Sequence, residues 1–280
     1  TLKARVIRAD ETAAWEYLGR GCKQEKGEYF VGMSSRYIES LLQEHDMEGC
    51  KPQDTVGEPK AGVREDRELD QHEGRRYRSS VGSLLWIMGE RPDIAVCVSQ
   101  LASHCDRPCL SDLKGLRRLL RYLKFSAGWM MRLGVEVPVR KHGEQGVRID
   151  AYSDSDWAGC EESRLSRSGW LIYVEGVLVA ASSRKQKVIT LSSFEAELYA
   201  MTQAGQEAVG MSQLVAELVS GEDRPVATVY VDNNAARTAA TRMGVGRNRH
   251  LQTRALWIQQ ETREGRLRVA RVSTTENVAD

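Results

Sequence analysis

Acidic residues recur in this sequence at places where they could share a divalent cation. The stretch YSDSDWAG, Tyr152 to Gly159, holds Asp154 and Asp156 two residues apart. Its apolar, alternating lead-in (Val147, Ile149, Ala151) predicts a half-buried strand, so both carboxylates project from one face near the strand's end. Burying an unpaired charge is costly, and two readings compete: an ordinary solvated turn, or one arm of a metal-binding acidic cluster. Asp232 closes the apolar run VATVYV and is followed by Asn233 and Asn234. Open α/β sheets gather ligands at the carboxyl ends of neighbouring strands. If these two strands are adjacent and parallel, Asp154 and Asp232 come side by side.

A third acid lies on the helix opened by LSSFEAELYAM. Ser192 and Glu195 have the S-x-x-E spacing of a capping box, which gives Glu195 a structural role. Glu197 points elsewhere, with Ala200 and Met201 above it on its face, and a lone carboxylate there needs a partner charge. Asp280, in STTENVAD at the start of a final helix expected near Glu276, is a fourth candidate. Clustered carboxylates stay ionised only beside a cation, and hard oxygen ligands suit Mg²⁺, with Mn²⁺ as a substitute. Two such ions about 3.5–4 Å apart can hold an attacking water and the leaving oxygen of a phosphodiester in line.

The elements that must position these groups follow from pattern. Strands are expected at 147–155, 168–175 and 177–183, the last two joined at Glu175-Gly176, then a long helix over 193–219 and a strand at 226–231. Helices at 233–242 and 249–263 and a strand at 266–272 complete a mixed α/β layer. Upstream, 15–32 reads as two short strands around 24–27, followed by a helix from Ser34 or Ser35 to Met47. Residues 51–76 are charged, contain Gly and Pro, and read as a linker or long loop. Helices are expected from Tyr77 to Cys105, broken at Arg91-Pro92, and from Ser111 to Phe125. The last carries a leucine stripe opposite Lys114, Arg117, Arg118, Arg121 and Lys124, which is either a solvated basic face or a rail for phosphates.

With 280 residues, 41% hydrophobic and 28% charged, the chain is long enough for two ordinary globular domains. No apolar run approaches membrane-spanning length, and the start lacks a signal peptide's apolar core. Thr1 in place of Met suggests a piece of a longer chain. The six cysteines follow no disulfide-framework spacing, favouring a reducing, intracellular setting. His104, Cys105 and Cys109 lack a second pair at zinc-finger spacing. Net charge is +1, so a nucleic-acid partner must be met by a local patch.

The order strand-Asp, helix-Glu, strand-Asp, helix-start-Asp resembles a ribonuclease H. More narrowly, the chain resembles the C-terminal part of a copia-type LTR-retrotransposon polyprotein, where reverse transcriptase runs into ribonuclease H. The resemblance is carried by YRSSVGSLLWI with RPDIAVCVSQLA, by LRRLLRYLK, YSDSDWAG, SRSGWLIYV and ASSRKQKVITLSSFEAELYA, and by VYVDNNAA, RHLQTRALWI and ENVAD. It implies a ribonuclease H-like mixed five-stranded sheet with flanking helices over 147–280. Before it would come a mostly helical, polymerase thumb- or connection-like region: a polymerase fragment at 1–50, the linker at 51–76 and helices at 77–146.

The implied activity is metal-dependent cleavage of the RNA strand of RNA–DNA hybrids, with two Mg²⁺ ions held by Asp154, Glu197, Asp232 and Asp280. The implied setting is intracellular: cytoplasmic and particle-associated, or nuclear, beside the upstream reverse transcriptase portion of the same polyprotein and with no membrane. Arg184, Lys185 and Lys187 are candidate phosphate contacts and Asn233 a candidate reader of the 2′-hydroxyl. An Asp-Asp pair in a strand–turn–strand setting, as in the family's polymerase centre, is absent from the sequence. After His250 the family's acidic residue and tyrosine-histidine pair are replaced, so His250 reads as structural or at most a substrate contact. The rival readings are an inactive fragment that binds nucleic acid without cutting it, and a DNA-strand nuclease on the same fold.

Overall fold

The computed structural model describes residues 12–57, 67–134, 146–160, 163–219, 224–242 and 252–280, and the side chains of 252–256 are not described. It divides into two compact units, one ending at residue 136 and one beginning at 137. His250 lies outside the described residues.

Among the described residues, the first unit joins a small antiparallel sheet to four α-helices. β1 (Ala13–Tyr17), β2 (Arg20–Glu25) and β3 (Glu28–Met33) form a meander, to which β4 (Met131–Arg132) adds beside β3. Three strands stand where two were expected, because Leu18-Gly19 makes a second tight turn ahead of the one at Lys26-Gly27. All four of these residues have positive φ, the backbone of a tight two-residue hairpin whose second position favours glycine. The region is therefore not mostly helical before residue 50.

The helices are α1 (Ser35–Glu44), α2 (Gln71–Ile87), α3 (Ala95–Ala102) and α4 (Leu110–Phe125). Ile38, Leu41 and Leu42 of α1, Tyr77, Val81 and Leu84 of α2, and Leu116, Leu119, Leu120 and Leu123 of α4 bury into one core. The segments expected at 1–50 and 77–146 thus share a single interior. Residues 51–57 and 67–70 are irregular, as in a linker or long loop, while 71–76 depart from that reading. Residues 71–76 are the first turns of α2, started by a capping box between Asp70 and Glu73 that the charge-rich context hides. Residues 48–57 lie along α4: Arg121 Nε donates to the Lys51 carbonyl at 2.7 Å and Lys124 Nζ to the Cys50 and Glu48 carbonyls, while Arg118 reaches Thr55 Oγ1 at 3.3 Å.

Arg121 and Lys124 are therefore half-buried and committed to the chain's own loop, while Lys114, Arg117 and Arg118 stay exposed, Arg118 with one nitrogen on Thr55. Charge-assisted bonds to carbonyls are worth about 1.5–3 kcal/mol when shielded and less at a wet surface. Arg121→Ala should lower the melting point of this unit by about 3–6 °C. It should leave the salt dependence of any nucleic-acid binding unchanged; a shallower salt slope in that variant would restore the rail.

The second unit is one five-stranded sheet in the order β7-β6-β5-β8-β9. β5 (Ile149–Asp156), β6 (Arg167–Val174) and β7 (Val177–Lys185) are antiparallel neighbours, while β8 (Ala227–Val231) runs parallel to β5 and β9 (Leu267–Arg271) parallel to β8. This is the mixed five-stranded sheet with flanking helices expected of a ribonuclease H-like fold. The adjacency that the site required is met, since Asp150–Tyr152 pair in parallel with Thr228–Tyr230.

Strand alternation divides the sheet's faces. Ile149, Ala151, Ile172, Ala227 and Val229 point into a core with α5 (Ser193–Leu218), α6 (Asn234–Thr241) and α7 (Gln252–Arg263). The buried stripe of α5 is rich in alanine, at 196, 200, 204 and 208, which lets 26 residues of helix lie close to the strands. Gly205 sits where a Cβ would meet Leu267 and Ile258 at 3.1–3.2 Å, so the helix there comes in against neighbouring side chains. Among the described residues no helix is long and apolar enough to cross a membrane.

Candidate active site

Asp154 lies two residues before the end of β5, still paired with Gly169 of β6, and parallel β8 ends immediately before Asp232, so the two carboxylates stand near one another. Glu197 comes from the first turns of α5, whose start is fixed twice over. The Ser192 side chain accepts from the Glu195 N–H, while Glu195 Oε2 accepts from Leu191 N–H at 2.7 Å. Glu195 reaches one residue further back than the expected capping box, to Leu191, so its carboxylate is spent on the helix start.

One oxygen each of Asp154, Glu197 and Asp232 lies within 4.8 Å of the other two. Glu197 is only 6% exposed, and its Oε2 finds no hydrogen-bond partner. Burial, with the Asp154 and Asp232 charges added, pushes the Glu197 carboxyl up to about 8. Burial does the same to Asp154, which reaches about 6 with help from Asp232 and Asp280. A buried, unpartnered carboxylate oxygen among like charges is energetically expensive. A hard divalent cation offers the missing partner, so the donor set fits Mg²⁺ or Mn²⁺.

The final stretch lies across the ends of both strands. A single 3₁₀ turn, Thr274–Glu276, stands where a longer final helix was expected. Asp232 Oδ2 accepts from Thr274 Oγ1 at 3.0 Å, and Asn277 Nδ2 donates to the Ser153 carbonyl at 3.1 Å in a buried bond. Asp280 follows this anchor, exposed and near enough for its charge to raise Asp154, yet outside the close trio. Sequence reasoning misses Thr274 and Asn277; the signal on offer was the asparagine inside the ENVAD motif. Asn277→Ala should cost about 1–3 kcal/mol by orphaning a buried carbonyl, read as a lower denaturation midpoint, and should release Asp280.

No protein-family model matches the chain. It is 29% identical over 276 residues to the retrovirus-related Pol polyprotein from transposon TNT 1-94 of Nicotiana tabacum, covering 95% of this chain and 20% of that protein. It is 31% identical over 271 residues to the corresponding polyprotein of transposon RE1 of Arabidopsis thaliana, covering 91% of this chain and 18% of that protein. Its homologues are Pol polyproteins of copia-type plant transposons.

It spans about a fifth of the length of these Pol relatives. Among solved structures, the N-terminal RNase H domain of Rv2228c from Mycobacterium tuberculosis covers 47% of this chain with a TM-score of 0.36 and 16% identity, over 86% of that chain.

The remaining candidates separate by what they touch. Arg184 and Lys185, at the end of β7, line a groove with Lys187, Trp170, Tyr199 and Gln203, so they stand where an anionic backbone could reach. Asn233 is otherwise engaged, because its side-chain oxygen caps α6 by accepting from Ala235 N–H at 2.9 Å and Ala236 N–H at 3.1 Å. As a reader of the 2′-hydroxyl it lacks that acceptor. Its sequence position, directly after the strand-ending Asp232, is also that of an ordinary helix cap. His104 Nδ1 bonds Asp112 Oδ1 at 2.8 Å, and no His/Cys cluster with metal-ligand spacing forms among the described residues.

Proposed function

We propose that this chain is the ribonuclease H part of a retrotransposon Pol polyprotein, a metal-dependent endonuclease that cleaves the RNA strand of RNA–DNA hybrids. The observation that carries this reading is the convergence of Asp154, Glu197 and Asp232 within 4.8 Å, with the Glu197 Oε2 buried and unpartnered. Asp154 and Asp232 would flank the cations, Glu197 would hold one of them, and Asp280 would complete the set from its exposed position. Two divalent ions, when bound, supply charge neutralisation at the scissile phosphate and an acidified water as nucleophile.

The chain's own contribution is placement. Asp154 sits on β5, Asp232 directly follows its parallel neighbour β8, and Glu197 is on a doubly fixed helix start, so the ligands would move little when substrate arrives. The expected products carry a 3′-hydroxyl and a 5′-phosphate, with no covalent enzyme intermediate. Arg184, Lys185 and Lys187 would steer the backbone of the hybrid. The first unit would correspond to the end of the polymerase and its connection, working beside the upstream reverse transcriptase inside the cell.

The decisive assay is the full chain incubated with end-labelled RNA–DNA hybrid in Mg²⁺ or Mn²⁺, next to an all-DNA duplex of the same sequence. Cleavage confined to the RNA strand supports the proposal. Cutting of the all-DNA duplex would favour a DNA-strand nuclease, and tight binding without cutting would favour an inactive module.

A further inference from the structure

The Trp-Ala-Gly that ends the YSDSDWAG motif is not among the clustered acids, yet its indole N–H and the Ala158 N–H are both tied down. Arg167 N–H donates to Asp156 Oδ1, and Ala158 takes a left-handed backbone (φ +55°) that turns the chain at the strand's exit. Ala158 N–H donates to Ser166 Oγ at 2.9 Å, and Ser166 Oγ meets Thr190 Oγ1 at 3.0 Å in a buried contact. The indole N–H of Trp157 donates to the Thr190 carbonyl at 3.2 Å. The turn after β5 is thereby bolted to the segment that leads into α5, whose Leu191 N–H is in turn held by Glu195.

The polar ties of this knot point inward, and its apolar side chains face water. Trp157 is 54% exposed although its one donor is fixed, and the residues flanking Thr190, Ile189 and Leu191, are 59% and 76% exposed. Val188 is exposed as well. Consecutive apolar residues held rigidly in solvent mark a contact surface. The occupant follows from charge. Asp154, Asp156 and Glu197 stand within a few residues of this shelf in sequence. A strand lying there must present its scissile phosphate to the cations and its uncharged sugar and base edges to the protein. At the other end of the same segment, Arg184, Lys185 and Lys187 offer the positive charge that a continuing phosphate backbone needs. A cationic run that passes into an apolar shelf beside an acidic cluster matches a nucleic-acid strand rather than a protein partner.

We infer that Trp157 is a substrate-contact residue, its ring seating the sugar and base edge of the strand being cut, with Ile189 and Leu191 extending the seat. This rests on the nuclease reading above. Aromatic contacts to nucleic acid change affinity by roughly 5- to 150-fold per base.

The experiment uses the full chain with a 20-base-pair RNA–DNA hybrid. Dissociation constants are measured in the Glu197→Gln background, where the hybrid survives, and KM and kcat are measured in the active background. Trp157→Ala should weaken binding about tenfold and raise KM to match, with kcat changed less than about threefold. Trp157→Phe, which keeps the ring and drops the N–H, should stay within about threefold of the parent. Quenching of tryptophan fluorescence on hybrid addition should shrink in Trp157→Phe. Unchanged affinity and KM in Trp157→Ala would overturn the inference while leaving the nuclease reading intact, as would equal loss of kcat in both variants at constant KM, which is the signature of a mere brace. A loss of self-association with unaltered hybrid affinity would assign the shelf to a second copy and also overturn it. If the Glu197→Gln chain fails to bind hybrid and the parent fails to cut it, both readings fall together.

Discussion

Glu197→Gln should abolish hybrid cleavage, by about 10³-fold or more, and at the same time make the metal-free protein more stable at about pH 8. Both effects come from one geometric fact. The Glu197 carboxylate is buried among Asp154 and Asp232, and its Oε2 has no protein partner. Ser155 eases that charge less than burial and the neighbouring acids oppose it, a divalent cation would ease it far more, and the amide removes it at nearly constant shape. Asp154→Asn should behave alike, with a smaller gain in stability because Asp154 is the less strongly shifted of the two. The measurement is cleavage rate in Mg²⁺ beside thermal melting in chelator. A variant that cuts at the parental rate would sink the site assignment. A variant that loses activity and also loses stability would indicate that Glu197 braces the fold instead of serving the cation. Sites that trade stability for function in this way are common in enzymes.

Metal-free stability should fall as pH rises from about 5 to about 8, and divalent cation should reverse the fall. In the folded chain Glu197 is raised from an ordinary value of 4.5 to about 8, and Asp154 from 3.8 to about 6. Both groups hold protons in the folded state that the unfolded chain has already released. Their contribution to stability is therefore complete below about pH 4, and each is lost as pH climbs through its folded value. Glu197 acts across the whole window and Asp154 mainly below about pH 6. Each tenfold difference in proton affinity between the folded and unfolded chain is worth about 1.4 kcal/mol. The combined loss between about pH 5 and pH 8 is then on the order of 3–5 kcal/mol, enough to lower the melting point by roughly 10 °C. Saturating Mn²⁺ or Mg²⁺ should flatten the profile, because a ligand that binds only the folded state stabilises it. Asp154→Asn and Glu197→Gln should each flatten it without metal. Calorimetry across this pH range, in chelator and in Mn²⁺, measures the slope directly; a profile that is level in chelator would show that these carboxyls hold their protons no more tightly than in the unfolded chain.

The site is legible in the sequence to the extent that each acid sits at a recognisable element boundary. Asp154 and Asp232 close runs whose alternation is that of strands, and Glu197 follows a Ser192–Glu195 start signal. The basic face of α4 is legible as a face but not as a role. Helical spacing reveals that Arg118, Arg121 and Lys124 share a side, whereas only the folded chain reveals that residues 48–57 lie against them and take up their donors. Asn233 is a parallel case, since an asparagine after a strand serves equally as a helix cap or a substrate contact until its oxygen is found on Ala235 and Ala236. The linker or long-loop reading overruns at 71–76 because dense charge mimics solvated coil, while the Asp70–Glu73 spacing inside it is a helix start.

By itself, the sequence determined the kinds of elements, their order, and the identity of the acids, because periodicity, capping and turn chemistry are local properties that residues a few positions apart can encode. Tertiary structure alone decided which acids meet, that Asp280 stands outside the close trio, and that Thr274 and Asn277 tie the last turn to Asp232 and Ser153. These are pairings between residues dozens of positions apart, fixed by strand order and by burial. No local pattern can specify them.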